Sequence, residues 1–204
     1  MHFPAPLEAE ALLDEATAHN PGAWVEHSRF AGQAARAIAA HTGDLDPDAA
    51  YAFGTLHDIG RRSGVYHLRH VMDGYRYLLE LGYPEAARIA ITHSFPLPNL
   101  DAYIGDFDCS AEDIAFLRHF LKTVEYTRYD RLIQLCDALA APTGFCLVEQ
   151  RMVDVALRYG TNAFMMDKWK AIFDLKEGFE TSIGCSIYSV LPGIEAHVFG
   201  YNHK

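Results

Sequence analysis

Residues Asp46–Gly60 read DPDAAYAFGTLHDIG. Asp46 suits an N-cap, because its carboxylate accepts from the unpaired amides of a first helical turn. Pro47 at the first helical position lacks only an amide that would have no partner there. Ala50, Phe53, Gly54 and Leu56 follow on one apolar helix, which is expected to reach His57-Asp58-Ile59 and end near Gly60. A short apolar helix thus ends on two ionisable residues, with the basic loop Arg61-Arg62-Ser63-Gly64 after it.

The flanking sequence reads the same way. Before it, Pro6 opens an amphipathic segment (Leu7, Ala11, Leu12, Glu15) that Asn20-Pro21-Gly22 stops. A second helix runs from about Trp24 to His41, with Gly43 as its C-terminal cap. After it, a fourth helix starts around His70 and reaches Gly82, and Pro84 opens a fifth, PEAARIAITHSF, which Pro96 and Pro98 terminate. Residues 96–109 form the longest loop. Ser110 with Asp113 forms a capping-box pattern for a sixth helix. A seventh covers about Tyr129–Ala141 and an eighth Val148–Tyr159; Asn162–Phe179 follows, with Met165, Met166 and Trp169 read as its core face. Ile183–Leu191 is a weak apolar segment, helical or irregular. No run alternates as a strand would, so the expected fold class is all-α.

Composition narrows the function. Half of the 204 residues are hydrophobic and 22% are charged, enough for a core and too apolar for a disordered chain. The net charge of -10 makes duplex nucleic acid a poor partner, so a phosphate ligand must be held locally, by a few Arg residues or by metal. The acidic start carries no signal-peptide pattern, and no apolar run is long enough to cross a membrane. The four cysteines form no CxxC pair and are read as small buried hydrophobes. These features together lead to an expected cytoplasmic location with reduced thiols.

The unusual count is 11 histidines. His27 sits mid-helix in WVEHSRFAGQAARAIA, His57-Asp58 at the end of the next helix, His93 at the end of AITHSF's helix, and Asp137 on the apolar face of LIQLCDALAA. An ionisable group among Leu, Ile, Ala and Phe is costly unless it is paired or binds metal. Composition alone yields a His-Asp dipeptide about once in such a chain, so the order carries the meaning: a helical His, His-Asp 30 residues on, and a helical Asp 79 after that. Imidazole nitrogens with carboxylate oxygens suit a borderline divalent metal.

This pattern, with HDIGR at His57–Arg61, resembles the HD superfamily of metal-dependent phosphohydrolases. The resemblance covers about residues 23–141 and leaves a helical C-terminal extension, 142–204, of one domain spanning 1–204. It implies an all-helical bundle with metal held between helices by His27, His57, Asp58 and Asp137. In the dinuclear branch a His opening the next helix and a His closing the one after hold a second ion. His70 and His93 match, so the chain is similar to that branch and, within it, to bacterial hydrolases of dinucleoside polyphosphates. The 44-residue interval from His93 to Asp137 is longer than that group's pattern.

The implied chemistry uses two ions (Fe, Mn, Co, Ni or Zn, with Mg admitted) that acidify a shared water, with Asp58 bridging them. Arg61, with its planar fork, is the first candidate for a phosphate clamp and catalytic contributor, and Arg62 the second. His67 and Ser94 are candidate substrate contacts, and Thr92 with Ser94 also flanks a ligand. The expected substrate is a nucleotide or another small phosphoester; a homodimer is left open. Two other readings share the ligand set: a diiron oxygenase cleaving a C–C or C–P bond, and a non-catalytic nucleotide-sensing module. His2, His19, His41, His119, His197 and His203 are assigned to surface or packing.

Overall fold

The computed structural model describes residues 2–200; His203 lies outside them. Eleven α-helices and one two-residue-per-strand hairpin make up the described chain. They are α1 (Pro6–His19), α2 (Ala23–Thr42), α3 (Pro47–Leu56), α4 (Arg69–Glu80), α5 (Pro84–Thr92), α6 (Ala111–Thr123), α7 (Arg128–Asp137), β1 (Ala140–Ala141), β2 (Gly144–Phe145), α8 (Val148–Tyr159), α9 (Met165–Ile183), α10 (Ile187–Val190) and α11 (Ile194–Phe199). The all-α expectation holds: this is a single helical domain. No described helix is long and apolar enough to cross a membrane.

The expected punctuation works. Asp46 accepts from the amides of Asp48 and Ala49 and starts α3, Ser110 accepts from Asp113 and starts α6, and Gly43 (φ 75°) ends α2. The main core gathers Leu13, Val25, Ile38, Phe53, Leu56, Ile89, Leu132, Ile133 and Leu135 from α1, α2, α3, α5 and α7, which pack around one another. A second, smaller cluster (Leu68, Val71, Ile91, Phe95, Leu100, Leu117, Leu121) seats α6 and the 96–109 loop on α4 and α5.

Four expectations are corrected. First, α3 stops at Leu56, and Ile59–Ser63 is a separate 3-10 turn that includes the supposed loop. The His57 ring explains the break: its Nδ1 donates to the Gly54 carbonyl at 2.6 Å, the acceptor a continuing helix would offer to the amide of residue 58. Second, α7 ends at Asp137, because the chain turns at Ala138 into the β1–β2 hairpin around Pro142-Thr143-Gly144. Third, only Cys136 of the four cysteines is buried; Cys185, just past the Gly184 cap of α9, is exposed. Fourth, Met166 turns outward from α9, while Met165 is buried.

Close helix contacts place the ionisable residues. A Cβ on Gly54 would lie 2.7 Å from the Gly32 Cα, so α2 and α3 touch backbone to backbone between His27 and His57. A Cβ on Gly60 would lie 1.9 Å from the His70 carbonyl oxygen, so the 3-10 turn after Asp58 presses on the start of α4.

Candidate metal centre

Four helices and a turn deliver six side chains to one place. His27 comes from the middle of α2, His57 and Asp58 from the break after α3, His70 from the first turn of α4, His93 from the C-terminal cap of α5, and Asp137 from the last residue of α7. His27, His57, Asp58, His70 and His93 are all buried, and Asp137 keeps 29% of its side-chain exposure. The ligand-capable atoms of His27, His57 and Asp58 lie within 4.8 Å of one another, as do those of Asp58, His70 and His93. Asp58 belongs to both groups.

Every imidazole is oriented the same way. Nδ1 donates to a backbone carbonyl in each case: His27 to Ala140 (3.1 Å), His57 to Gly54 (2.6 Å), His70 to His67, and His93 to Ile89 (3.3 Å). A carbonyl only accepts, so each Nδ1 carries a proton, and in that tautomer Nε2 is the lone-pair nitrogen. Those Nε2 atoms point inward. His27 Nε2 lies 3.0 Å from Asp137 Oδ1; His70 and His93 Nε2 lie 3.1 and 3.5 Å from Asp58 Oδ1. His57 Nε2 and Asp58 Oδ1 are buried with no hydrogen-bond partner among the described residues. Buried lone pairs aimed at one another repel unless a cation lies between them. Backbone-anchored Nδ1–H groups are also how metal-binding histidines are held. The donor set therefore fits a divalent cation.

Electrostatics agrees. Burial pushes His57 down to about 3, against the attraction of the Asp58 charge, so its ring is neutral at ordinary pH. Burial also lowers His70, with the nearby Arg61 guanidinium adding to the effect. Burial opposes ionisation of Asp58, but the adjacent Arg61 guanidinium favours it, and the carboxyl is held well below the usual range. Asp137 is likewise held down: burial opposes its ionisation, and the nearby charge of Arg151 favours it. Neutral imidazoles with ionised carboxylates are the protonation states that a metal requires.

The remaining sequence candidates divide. Arg61 joins the cluster: its Nε donates to Asp58 Oδ2 at 2.6 Å and its Nη1 to the Tyr66 carbonyl at 3.3 Å, while Nη2 has no partner among the described residues. Arg62 is not brought there. It pairs with Glu15 at 2.7 Å and lies over the Tyr77 ring, tying the turn to α1 and α4. His67 supplies the carbonyl that orients His70, and its own ring accepts from the Asp106 amide at 3.0 Å. Ser94 Oγ is 3.0 Å from His93 Nε2.

Two further residues support the site without standing out in the sequence. Buried Asp130 accepts from Thr92 Oγ1 (2.6 Å), Arg88 and Thr127, and Gln134 donates to the carbonyls of Thr92 (2.9 Å) and Phe95 (3.1 Å). Together they pin the end of α5, where His93 sits. The available signal was Thr127-x-x-Asp130, a capping box that starts α7.

A family model for the HD domain matches residues 24–141, more than half of the chain. No match was found among curated proteins or among solved structures. The match ends just past Asp137 and takes in all six clustered residues; this chain belongs to the HD domain family.

Proposed function

We propose that the chain is a metal-dependent phosphohydrolase acting on a small-molecule phosphoester, nucleotides included, with two divalent ions sharing Asp58. The observation that carries this reading is that Asp58 belongs to two groups of inward-facing, buried ligands. His27, His57, Asp58 and Asp137 would hold one ion, and Asp58, His70 and His93 the other. When bound, divalent ions would supply a water of lowered pKa and offset charge on phosphoryl oxygens.

The chain's own residues prepare that chemistry. Arg61 fixes the Asp58 carboxylate in orientation and charge through the 2.6 Å contact. Its free Nη2 is left to donate to a phosphoryl oxygen, and a guanidinium serves that role well. The carbonyls of Ala140, Gly54, His67 and Ile89 hold the imidazoles so that no ring must turn on ligand binding, which is preorganisation. In the overall reaction the water oxygen joins phosphorus, the ester P–O bond breaks, and the alcohol leaves with a proton from the water.

The test is phosphate release from a panel of phosphomonoesters, nucleotides and dinucleotides, after loading the purified chain with Mn, Co, Fe or Zn and measuring metal content. Turnover is expected with the parent and absent in Asp58→Ala, with the helical circular dichroism retained. Retained turnover in Asp58→Ala overturns the reading. Oxygen consumption by the iron-loaded chain without phosphate release would favour the oxygenase chemistry instead.

A further inference from the structure

The family match stops at residue 141, yet the space beside the cluster is closed largely by α8 and α9, which lie beyond it. A cavity of about 120 Å³ opens against His93, Ser94 and Asp137. Its far wall is Arg151, Met152 and Val155 of α8 and Met165, Lys168, Trp169 and Ile172 of α9, with Ile104 from the long loop. Seven of these eight wall residues lie outside the family match.

The wall has two parts. The first is cationic. Lys168 makes no side-chain hydrogen bond or ion pair among the described residues. Arg151 reaches Asp137 and Asp154 only at 3.4 Å each, longer than well-made charged contacts of about 2.7–2.9 Å. In a chain of net charge -10, two under-used cations facing one cavity concentrate an anion there. The second part is apolar: Trp169, Met165, Ile172, Val155 and Ile104 offer hydrocarbon and an indole ring.

Size limits the guest. A cavity of about 150 Å³ accepts a benzene ring, whereas sites for larger ligands run from about 300 Å³ upward. At about 120 Å³ the sheltered part of this space holds a body of ring size or smaller, so a nucleoside would have to extend out of it.

We infer that α8 and α9 form the substrate-selecting half of the site, and that the substrate is a phosphomonoester of a small apolar alcohol or phenol. Its phosphoryl group lies between the His/Asp cluster and Arg151 with Lys168, and its organic part lies against Trp169. This rests on the phosphohydrolase reading for the choice of phosphate as the anion. It narrows that reading away from nucleotides and dinucleotides.

The experiment measures binding of phenylphosphonate, whose C–P bond resists hydrolysis, to the full metal-loaded chain by calorimetry, with methylphosphonate and adenosine 5′-monophosphate alongside. Phenylphosphonate is expected to bind at least about tenfold more tightly than the nucleotide. Lys168→Met and Arg151→Gln are each expected to weaken phenylphosphonate by about tenfold, the worth of a charged hydrogen bond. Lys168→Arg, which keeps the charge, stays within about threefold of the parent. Trp169→Ala weakens phenylphosphonate about tenfold and leaves methylphosphonate nearly unchanged, because only the former loses a ring contact. Parental affinity in a folded Lys168→Met, or nucleotide binding as tight as that of phenylphosphonate, overturns the inference. In a parallel assay with phenyl phosphate, release that proceeds with parental KM in Lys168→Met sinks the pocket assignment alone. The expected binding pattern without release sinks the hydrolase reading alone.

Discussion

His70 Nε2 and His93 Nε2 face each other across 3.4 Å, and the opposite nitrogen of each ring is tied to a backbone carbonyl. In the Nδ1–H tautomer that those carbonyls select, both inner nitrogens are acceptors and cannot hydrogen-bond to each other. A cation between them removes the conflict. Metal is therefore expected to stabilise the fold as well as to serve chemistry. At about 1,000 times its dissociation constant an ion adds about 4 kcal/mol, which for a chain of this size raises Tm by on the order of 10 °C. Thermal melts with EDTA and with Mn, Co or Zn measure this. Replacing both His70 and His93 with Ala should lower the bound metal from two ions to one by elemental analysis; an unchanged content would show that these rings hold none.

The same buried groups set the acid limit of the metal-free protein. His57 titrates at about 3 when folded, against an ordinary 6.5, because burial opposes its charge. Between those values the unfolded chain binds the extra proton and the folded chain does not, so stability falls as pH drops from about 6.5 toward 3. Asp58 and Asp137, held low when folded, act in the same direction below about pH 4. The His57 contribution alone, over the whole window, is on the order of 5 kcal/mol. Urea unfolding with EDTA at pH 7.5 and at pH 5 should show a marked loss in the parent and a shallower one in His57→Asn. Equal slopes in the two proteins would mean that His57 is charged in the fold.

Much of this site can be read from residue order because its members break a local rule. His27, His57, Asp58, His93 and Asp137 are ionisable groups on faces otherwise built of Ala, Leu, Ile and Phe, and helical periodicity exposes that conflict without coordinates. His70 added no such conflict and needed the family pattern. Helix starts were legible where Asp46-Pro47 and Ser110 satisfy first-turn amides. The break after Leu56 was not, because it depends on where the His57 ring points rather than on a helix-breaking residue. Arg61 and Arg62 rank first and second as phosphate contacts by sequence, and the tight turn sends the first to Asp58 and the second away to Glu15. Arg151 and Lys168 gave no signal, since a cation on an amphipathic helix reads as a solvated face until tertiary packing turns it inward.

The glycine contacts that align the ligands leave no room for a methyl group. At Gly54 the added carbon would meet the backbone of Gly32 and the Ala31 carbonyl at 2.7–2.8 Å, and backbone cannot swing aside as a side chain can. Gly54→Ala must push α2 from α3, at a cost of about 3 kcal/mol or more, and must move His27 relative to His57. At Gly178 of α9, by contrast, an added Cβ meets nothing within 4 Å. Gly178→Ala is thus expected to stabilise slightly, by about 0.5–1 kcal/mol, through helix propensity. Chemical denaturation of the two variants should give opposite signs. If Gly54→Ala matched the parent in stability and metal affinity, the close packing of α2 on α3 would be refuted.

Lys168 offers a sharper separation between a residue kept for folding and one kept for binding. Burial brings its ammonium down to about 8 from an ordinary 10.5, with the Asp137 charge only partly opposing. Below about pH 8 the folded protein carries a desolvated cation, and between 8 and 10.5 the unfolded chain holds the proton more firmly, so the penalty fades as pH rises through that window. Lys168→Met keeps the aliphatic stem and removes the charge, so at pH 7 it is expected to stabilise the metal-free chain by about 1–3 kcal/mol. That gain should shrink by pH 10.5. A side chain that weakens the fold while lining the cavity beside His93 and Asp137 follows the stability–function trade-off of binding sites. Paired melts of parent and variant at pH 7 and pH 10.5 would check it; a destabilised variant at pH 7 would mean that the lysine contributes to folding instead.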